Sequence, residues 1–344
     1  MSTRVVIGRG GTATATALLL AEAGDHVRMV SRSGLGPDHP GVERVALDAL
    51  DTTALTEVAT GADTVFNLAM PAYHTWPETV PPLFGSILSA TESAGADLVM
   101  LGNLYGYGPV DGLVSEHTPL AATGSKGAVR ARMWTDALAA HEAGRLRVTE
   151  LRAGQFLGAG AVSVFSLLVQ SAVLANTRAR VPQELDLAHS FTAIGDAAAA
   201  LVTLARDDRS WGRAWHAPVI TTTVRAVATR LAALAGAATP ELAVLTDAEI
   251  TELAEQDPFW AELFETKHMS HREFVVDDSA MRATFGRTAG TLDEVLAEVV
   301  TADAAARYPC STRGRCRRFA GESVNGCSES REARCGKMRV VSAR

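Results

Sequence analysis

Two short runs have residue types and spacing that could do chemistry. Gly8-Arg9-Gly10-Gly11-Thr12-Ala13 fits G-x-G-x-x-A and follows directly on the apolar trio Val5–Ile7. Glycine in such a turn lets backbone amides approach a pyrophosphate, a small last residue lets a helix pack close on a sheet, and the helix N-terminus adds partial positive charge. This is dinucleotide-binding chemistry when the turn joins a strand to a helix. The second run, Ser31-Arg32-Ser33, stands at the end of the next apolar segment, where an NAD-binding chain carries an acid for the ribose 2′-hydroxyl. A carboxylate would repel a 2′-phosphate. The Arg32 guanidinium can instead grip it in a forked contact that Ser31 and Ser33 extend, with Arg9 sharing the role, so NADPH is expected over NADH. The competing reading is that Arg32 is one of 29 arginines on a solvated surface.

Both runs need a parallel sheet to position them. Over the first 150 residues, apolar runs of strand length (4–7, 26–30, 44–47, 64–68, 98–101 and 147–151) alternate with helical segments over 12–23, 52–60 and 123–143. Gly24, Gly61 and Gly144 stop those helices. Such alternation is the signature of βαβ units. The expected fold is α/β, a Rossmann-type doubly wound parallel sheet with a smaller, mostly helical substrate-binding lobe. Residues 1–154 are assigned to an NADP-binding domain with later returns near 188–220. Residues 155–306 are assigned mainly to the second lobe, and 307–344 to a basic tail expected to be disordered.

Composition bounds the rest. The chain has 344 residues, 47% of them hydrophobic and 21% charged, which excludes a disordered chain, a collagen and a coiled coil. The net charge of −7 combines +7 in the tail with −14 in residues 1–306, an acidic body with no footprint for nucleic acid. All four cysteines, Cys310, Cys316, Cys327 and Cys335, lie in the tail at spacings that miss those of zinc modules. A cysteine-free body suits a reducing compartment, and no signal-peptide apolar region precedes Gly8, so a cytoplasmic protein is expected. The uncharged stretch 153–177 is broken by Gln155, Gln170 and Asn176 and reads as a buried lobe helix, not a membrane span. No His-x-x-x-His or carboxylate cluster suggests a metal. No Gly-x-Ser-x-Gly elbow suggests a hydrolase. His189 and His216 read as satisfied core or rim residues.

In this order, the residues resemble the extended short-chain dehydrogenases/reductases, the group of NAD(P)-dependent epimerases, dehydratases and ketone reductases, over roughly residues 4–300. Asp48 resembles the family's adenine-contacting acid, and Leu68-Ala69-Met70 its cofactor-lining segment. Gly102-Asn103-Leu104-Tyr105-Gly106-Tyr107-Gly108-Pro109 resembles its strand end that finishes in Tyr-Gly. Leu151-Arg152-Ala153-Gly154-Gln155-Phe156-Leu157-Gly158 is similar to its nicotinamide loop, and Ile194-Gly195-Asp196-Ala197-Ala198 to the start of a closing helix. The departures decide the chemistry the resemblance implies. Asn103 takes the slot of the family's Ser or Thr, and Lys126-Gly127-Ala128-Val129-Arg130 falls where the family has Tyr-Gly-x-x-Lys, so Lys126 replaces the tyrosine acid and Arg130 the ribose-holding lysine.

Tyrosine can give or take a proton. An ammonium can stabilise a developing alkoxide but is a poor base unless burial lowers its pKa by several units, and arginine can only hold the ribose or add positive potential. Carbonyl reduction survives these replacements better than an epimerase cycle, which must first oxidise an alcohol. Only Lys126, Lys267 and Lys337 occur in the chain, which singles out Lys126. If Lys126 is not the acid, Tyr105, Tyr107, a water or a substrate hydroxyl remains. Tyr73, Tyr105 and Phe156, with the other apolar side chains of 156–168, suggest walls for a planar aromatic substrate. Here the chain looks similar to angucyclinone ketoreductases of aromatic polyketide antibiotic biosynthesis. A nucleotide sugar would need cations that Arg178, Arg180 and Arg230 could supply. The expectation is an NADPH-dependent ketoreductase, monomer or homodimer, acting on a small molecule with no nucleic acid, membrane or metal involved. Its alternatives are a nucleotide-sugar epimerase or dehydratase, and a non-catalytic NADP(H)-binding sensor.

Overall fold

The structure, a computed structural model, describes residues 2–307; the expectations for the cysteine-bearing tail beyond lie outside the described residues. The strands are β1 Thr3–Ile7, β2 His26–Ser31, β3 Val42–Ala46, β4 Thr64–Asn67, β5 Asp97–Asn103, β6 Val148–Ala153, β7 Gln155–Leu157, β8 Ala179–Val181, β9 His189–Ala193, β10 Arg213–His216, β11 Ile220–Thr222 and β12 Leu242–Val244. The helices are α1 Gly11–Glu22, α2 Thr52–Ala59, α3 Trp76–Ser93, α4 Ser125–Glu142, α5 Ser171–Leu174, α6 Ile194–Leu204, α7 Val224–Ala235, α8 Asp247–Ala254, α9 Lys267–Ser270, α10 Ser279–Phe285 and α11 Leu292–Arg307.

Seven strands form one sheet in the order β3-β2-β1-β4-β5-β6-β10, every pair parallel. Because both faces are covered by helices, the central strands are apolar throughout, as in Val5, Val6 and Ile7. On one face α2, α3 and α4 bring Leu55, Phe84, Ile87 and Ala137 onto Val5, Val65 and Leu98. On the other, α1, α6 and α10 bring Ala17, Leu20, Leu201 and Met281 onto Val6, Phe66 and Val99. The chain runs outward from β1 to β3 on one side and from β4 to β10 on the other. The crevice of a doubly wound sheet therefore opens at the carboxyl ends of β1 and β4.

The expected glycine stops are present: Gly24, Gly61 and Gly144 adopt φ of 89°, 76° and 70°, just beyond α1, α2 and α4. The sequence reading misses α3. Its prolines do not prevent it: Pro77 sits in the first turn, and Pro81 and Pro82 lie on an exposed face, where water can meet the carbonyls they leave without donors. Residues 153–177 are not one helix. They hold the end of β6, β7 and a π-turn over Phe165–Gln170 that continues into α5. The second lobe is not purely helical either. A three-stranded sheet β11-β9-β7 and the pair β12-β8 line it, with Phe165, Phe191, Leu231 and Leu296 in its core. Among the described residues no helix is long and apolar enough to cross a membrane.

Candidate functional site

Three glycines of the first turn are there for different reasons. Gly8, at φ 125°, lies so close to the exit of β4 that a Cβ would stand 2.6 Å from the Leu68 carbonyl oxygen. A Cβ on Gly11 would overlap the Gly160 carbonyl oxygen, because the Gly158–Gly160 loop lies directly against the turn. Gly10 differs. Its φ of −69° suits any residue, and a Cβ there would meet nothing within 4 Å. Neither backbone strain nor protein packing demands glycine at residue 10, and the first amides of α1 open onto the space it leaves bare. That cradle fits a pyrophosphate. Thr12 and Ala13 are buried beneath it.

Pairing of β1 with β2 places the second run beside the first, with Gly8 N–H donating to the Val30 carbonyl at 2.9 Å. Ser31 is buried and its hydroxyl is spent on the Leu35 carbonyl at 3.0 Å. Arg32, Ser33 and Arg9 are exposed, and neither arginine has an ion pair or hydrogen bond among the described residues. Asp48 is also exposed, its carboxylate accepting from Leu50 N–H at 3.1 Å.

Lys126 and Arg130, one turn apart on α4, both point inward. Lys126 is 1% exposed. Its Nζ is ion-paired with Glu262, lies 3.8 Å from Glu265 and stands 4.9 Å from the Tyr73 ring centre. Glu265 also caps α4, its Oε1 accepting from the Lys126 and Gly127 amides at 2.7 and 3.0 Å. A Cβ on Gly124 would overlap it. Burial pulls the ammonium below its ordinary range, and Glu265 pushes it back up. Arg130, 7% exposed, has poorer company: Nη1 donates to the Leu101 carbonyl at 3.3 Å, Nη2 to Met70 Sδ at 3.2 Å, and the guanidinium lies 4.7 Å from the Trp76 ring centre. Its Nε is buried without a partner. Burial lowers its pKa to about 10, which leaves it charged at neutral pH.

Asn103 Oδ1 accepts from Tyr105 N–H at 3.1 Å and starts the 3-10 turn Tyr105–Tyr107. The turn sends its two tyrosines apart. Tyr105 meets Tyr73 and Trp76, with ring centres 6.3 and 5.9 Å away, and Phe259 closes on Tyr73 at 6.0 Å. Tyr107 is buried in a different network. Arg152 Nη1 donates to its oxygen at 2.7 Å, and its hydroxyl meets His216 Nε2 at 2.7 Å. Arg152 Nε also holds Glu150 at 2.7 Å, and a Cβ on Gly102 would overlap that carboxylate.

On the lobe side, Gly154 N–H donates to Thr192 Oγ1 at 3.0 Å, Gln155 reaches Gln183 at 3.4 Å, and Phe156 packs with Leu68 and Leu101. Ala69 and Met70 line the exit of β4. Trp76, three residues beyond Tyr73, is 4% exposed core. Arg180 is paired with Glu249 and Arg230 with Asp293, both at the surface. Sequence reasoning missed Glu262, Glu265 and Phe259, which lie in a run with no motif. Among the described residues no group of three or more His, Cys, Asp or Glu side chains could hold a metal ion.

No family model matches the chain, and no curated protein matches its sequence. Solved structures share its fold. One is MoeE5 in complex with UDP-glucuronic acid and NAD, at 22% identity and a TM-score of 0.72, covering 89% of this chain and 100% of that one. Another is DesIV, a dTDP-glucose 4,6-dehydratase from Streptomyces venezuelae with NAD and TYD bound, at 18% identity and a TM-score of 0.73, covering 89% and 98%. A third is the UDP-glucose 4-epimerase of Thermotoga maritima with UDP-glucose, at 15% and 0.71, covering 89% and 100%. The fold is thus the Rossmann-like α/β fold of these nucleotide-sugar enzymes. They are not polyketide ketoreductases, so the aromatic-polyketide expectation rests on the sequence resemblance alone.

Proposed function

We propose that the protein is an oxidoreductase that binds a nicotinamide dinucleotide, NADPH by preference, and reduces a ketone on a bulky substrate. The observation that carries this reading is the pair of buried cations, Lys126 and Arg130, in the positions where an alcohol-oxidising relative needs a tyrosine and a lysine. Gly8, Gly10 and Gly11 with the start of α1 hold the pyrophosphate, and Arg32, Arg9 and Ser33 hold the 2′-phosphate. Ser31, Asp48, Thr12 and Ala13 shape this end of the cleft, while Leu68–Met70, Gly102, Arg130 and Gly154–Phe156 border the nicotinamide end. When bound, the reduced dinucleotide supplies the hydride. Lys126, an ammonium paired with Glu262 and Glu265, is placed to steady the developing alkoxide and is a poor acceptor of a proton from an alcohol. Asn103 fixes the turn that presents Tyr105, and the Tyr73 and Tyr105 rings with Phe156 border the substrate.

The neighbours named above favour a second reading, an epimerase or dehydratase of nucleotide sugars, and they favour it over the first in substrate class. Against it, two of the three cations suited to a diphosphate, Arg180 and Arg230, already hold carboxylates, while the third, Arg178, stands exposed with no ion pair among the described residues. Deuterated NADPH, offered with 9,10-phenanthrenequinone and separately with UDP- and dTDP-glucose, distinguishes the two. Stoichiometric label in an alcohol product supports reduction, whereas a converted sugar with nucleotide recycled supports the second reading. Tight NADPH binding without turnover on any carbonyl would make the protein a sensor.

A further inference from the structure

The residues around Lys126 leave the source of the proton open, since the ammonium is committed to two carboxylates. Three tyrosines and Asn103 on the elements around this site are the candidates, and their hydrogen bonds leave one of them free to donate. Tyr107 is 1% exposed and committed to Arg152 and His216. Asn103 engages its Oδ1 with the Tyr105 amide, and its carboxamide N–H is far too weak an acid to give up a proton. Tyr73 donates its proton to Tyr105 Oη at 3.3 Å. Tyr105 is left as an acceptor whose own O–H has no partner within the pair.

We propose, on the basis of the reductive reading above, that Tyr105 is the proton donor of the reaction, standing on a different element from the tyrosine that Lys126 replaces, and that Tyr73 is its positioning residue. In the step the Tyr105 O–H bond breaks, its proton goes to the carbonyl oxygen as the carbonyl carbon takes hydride supplied by the reduced dinucleotide, and the electron pair stays on Tyr105 as a phenolate. Two neighbours stabilise that phenolate, the Tyr73 hydrogen bond and the Arg130 guanidinium. Both pull the phenol down, but burial, which pushes it up, outweighs them and keeps Tyr105 protonated at neutral pH. A phenol that is protonated at neutral pH has a proton to give and no free base with which to take one from an alcohol.

A return path for the proton lies behind the ring. Tyr105, Gly124, Glu265, Thr266 and His268 line a cavity of about 40 Å³, room enough for a water with several polar partners. His268 Nε2 is buried with no hydrogen-bond partner, and burial holds this imidazole below its ordinary pKa, neutral and able to accept. The cavity therefore borders both Tyr105 and an imidazole able to take up a proton.

Tyr105→Phe removes one hydroxyl whose partner in the structure is another phenol, so the fold is expected to stand, with circular dichroism as the check. The proposal expects Tyr105→Phe to bind NADPH as tightly as the parent yet oxidise it with 9,10-phenanthrenequinone at least about 100-fold more slowly, with Tyr73→Phe intermediate. Turnover of Tyr105→Phe within about threefold of the parent overturns it. Failure of the reductase reading looks different: a parent that binds no nucleotide, or that binds it and does not oxidise it. A second measurement needs neither nucleotide nor substrate: 3,5-difluorotyrosine is placed at residue 105 and titrated by fluorine NMR. Tyr73→Phe should raise the ionisation of that probe by about half a pH unit or more, as loss of a hydrogen bond to the charged form requires. An unchanged titration would show that the two phenols are not coupled and would overturn the pair.

Discussion

Lys126 has two carboxylates for company and almost no water. An ammonium so placed costs little only while its partners remain, because removing one member leaves charge behind in a poorly hydrated site. Lys126→Met should lower stability by about 2 kcal/mol, below the range for a fully buried pair because Glu262 and Glu265 keep some solvent. It should also slow carbonyl reduction about tenfold or more if the charge faces the developing alkoxide; unchanged turnover would confine Lys126 to a structural role. Residues 103, 126 and 130 stood out in the sequence because each interrupts, at a fixed spacing, the pattern of the family the chain resembles. Their partners were not. Glu262 and Glu265 lie 136 and 139 residues from Lys126, and a glutamate in a mixed run gives no sign of which helix end it will cap. The same blindness covers Tyr73 and Tyr105, aromatic residues whose hydroxyls meet only through the fold.

Among the elements, the turn from β1 into α1 carries the clearest separation between structure and ligand. Gly11 is demanded by the Gly160 loop, whereas Gly10 is demanded by no protein atom. Gly10→Ala should therefore leave the melting temperature nearly unchanged while weakening nucleotide binding at least tenfold, about 1.4 kcal/mol. Gly11→Ala should cost both stability and binding. Thermal melts and calorimetric titrations of the two variants check this; equal loss of stability in both would mean that Gly10 serves the fold and not a ligand. Strand and helix alternation made this turn readable, because a buried parallel strand is apolar on both faces and a helix ends where glycine turns left-handed. The same rules concealed α3, whose prolines fall in the first turn and on the wet face. They also misread 153–177, since an uncharged run signals burial and does not by itself distinguish a short strand followed by a π-turn from one long helix.

For the whole molecule, a buried polar chain ties the parallel sheet to the segment that leads into α10. Glu150 and Arg152 on β6 hold Tyr107, Tyr107 meets His216 on β10, and His216 Nδ1 lies 2.8 Å from the Asp277 carbonyl. A neutral imidazole satisfies it, with Nδ1–H donating to Asp277 and Nε2 accepting from Tyr107. His216 was legible as a satisfied core residue, but not as the link from the sheet to Asp277, which needs the return of β10 to the sheet. Burial depresses the pKa of His216, and of His189, His268 and His271 likewise. The unfolded chain takes up these protons near pH 6.5 while the folded one refuses them. Stability is therefore full above about pH 6.5 and falls as the pH drops below it, until the depressed folded values are passed. Urea midpoints at pH 7.5 and 5.5 should show the decline, and His216→Gln should make it shallower; a midpoint that rises on acidification would contradict the neutral assignment. All of this serves a cleft whose ligand can be weighed directly. Isothermal titration of the parent with NADPH and with NADH should give one site per chain and at least about tenfold tighter binding of NADPH, a preference that Arg32→Ala removes. Absence of heat and of saturation with both nucleotides would contradict the account at its root.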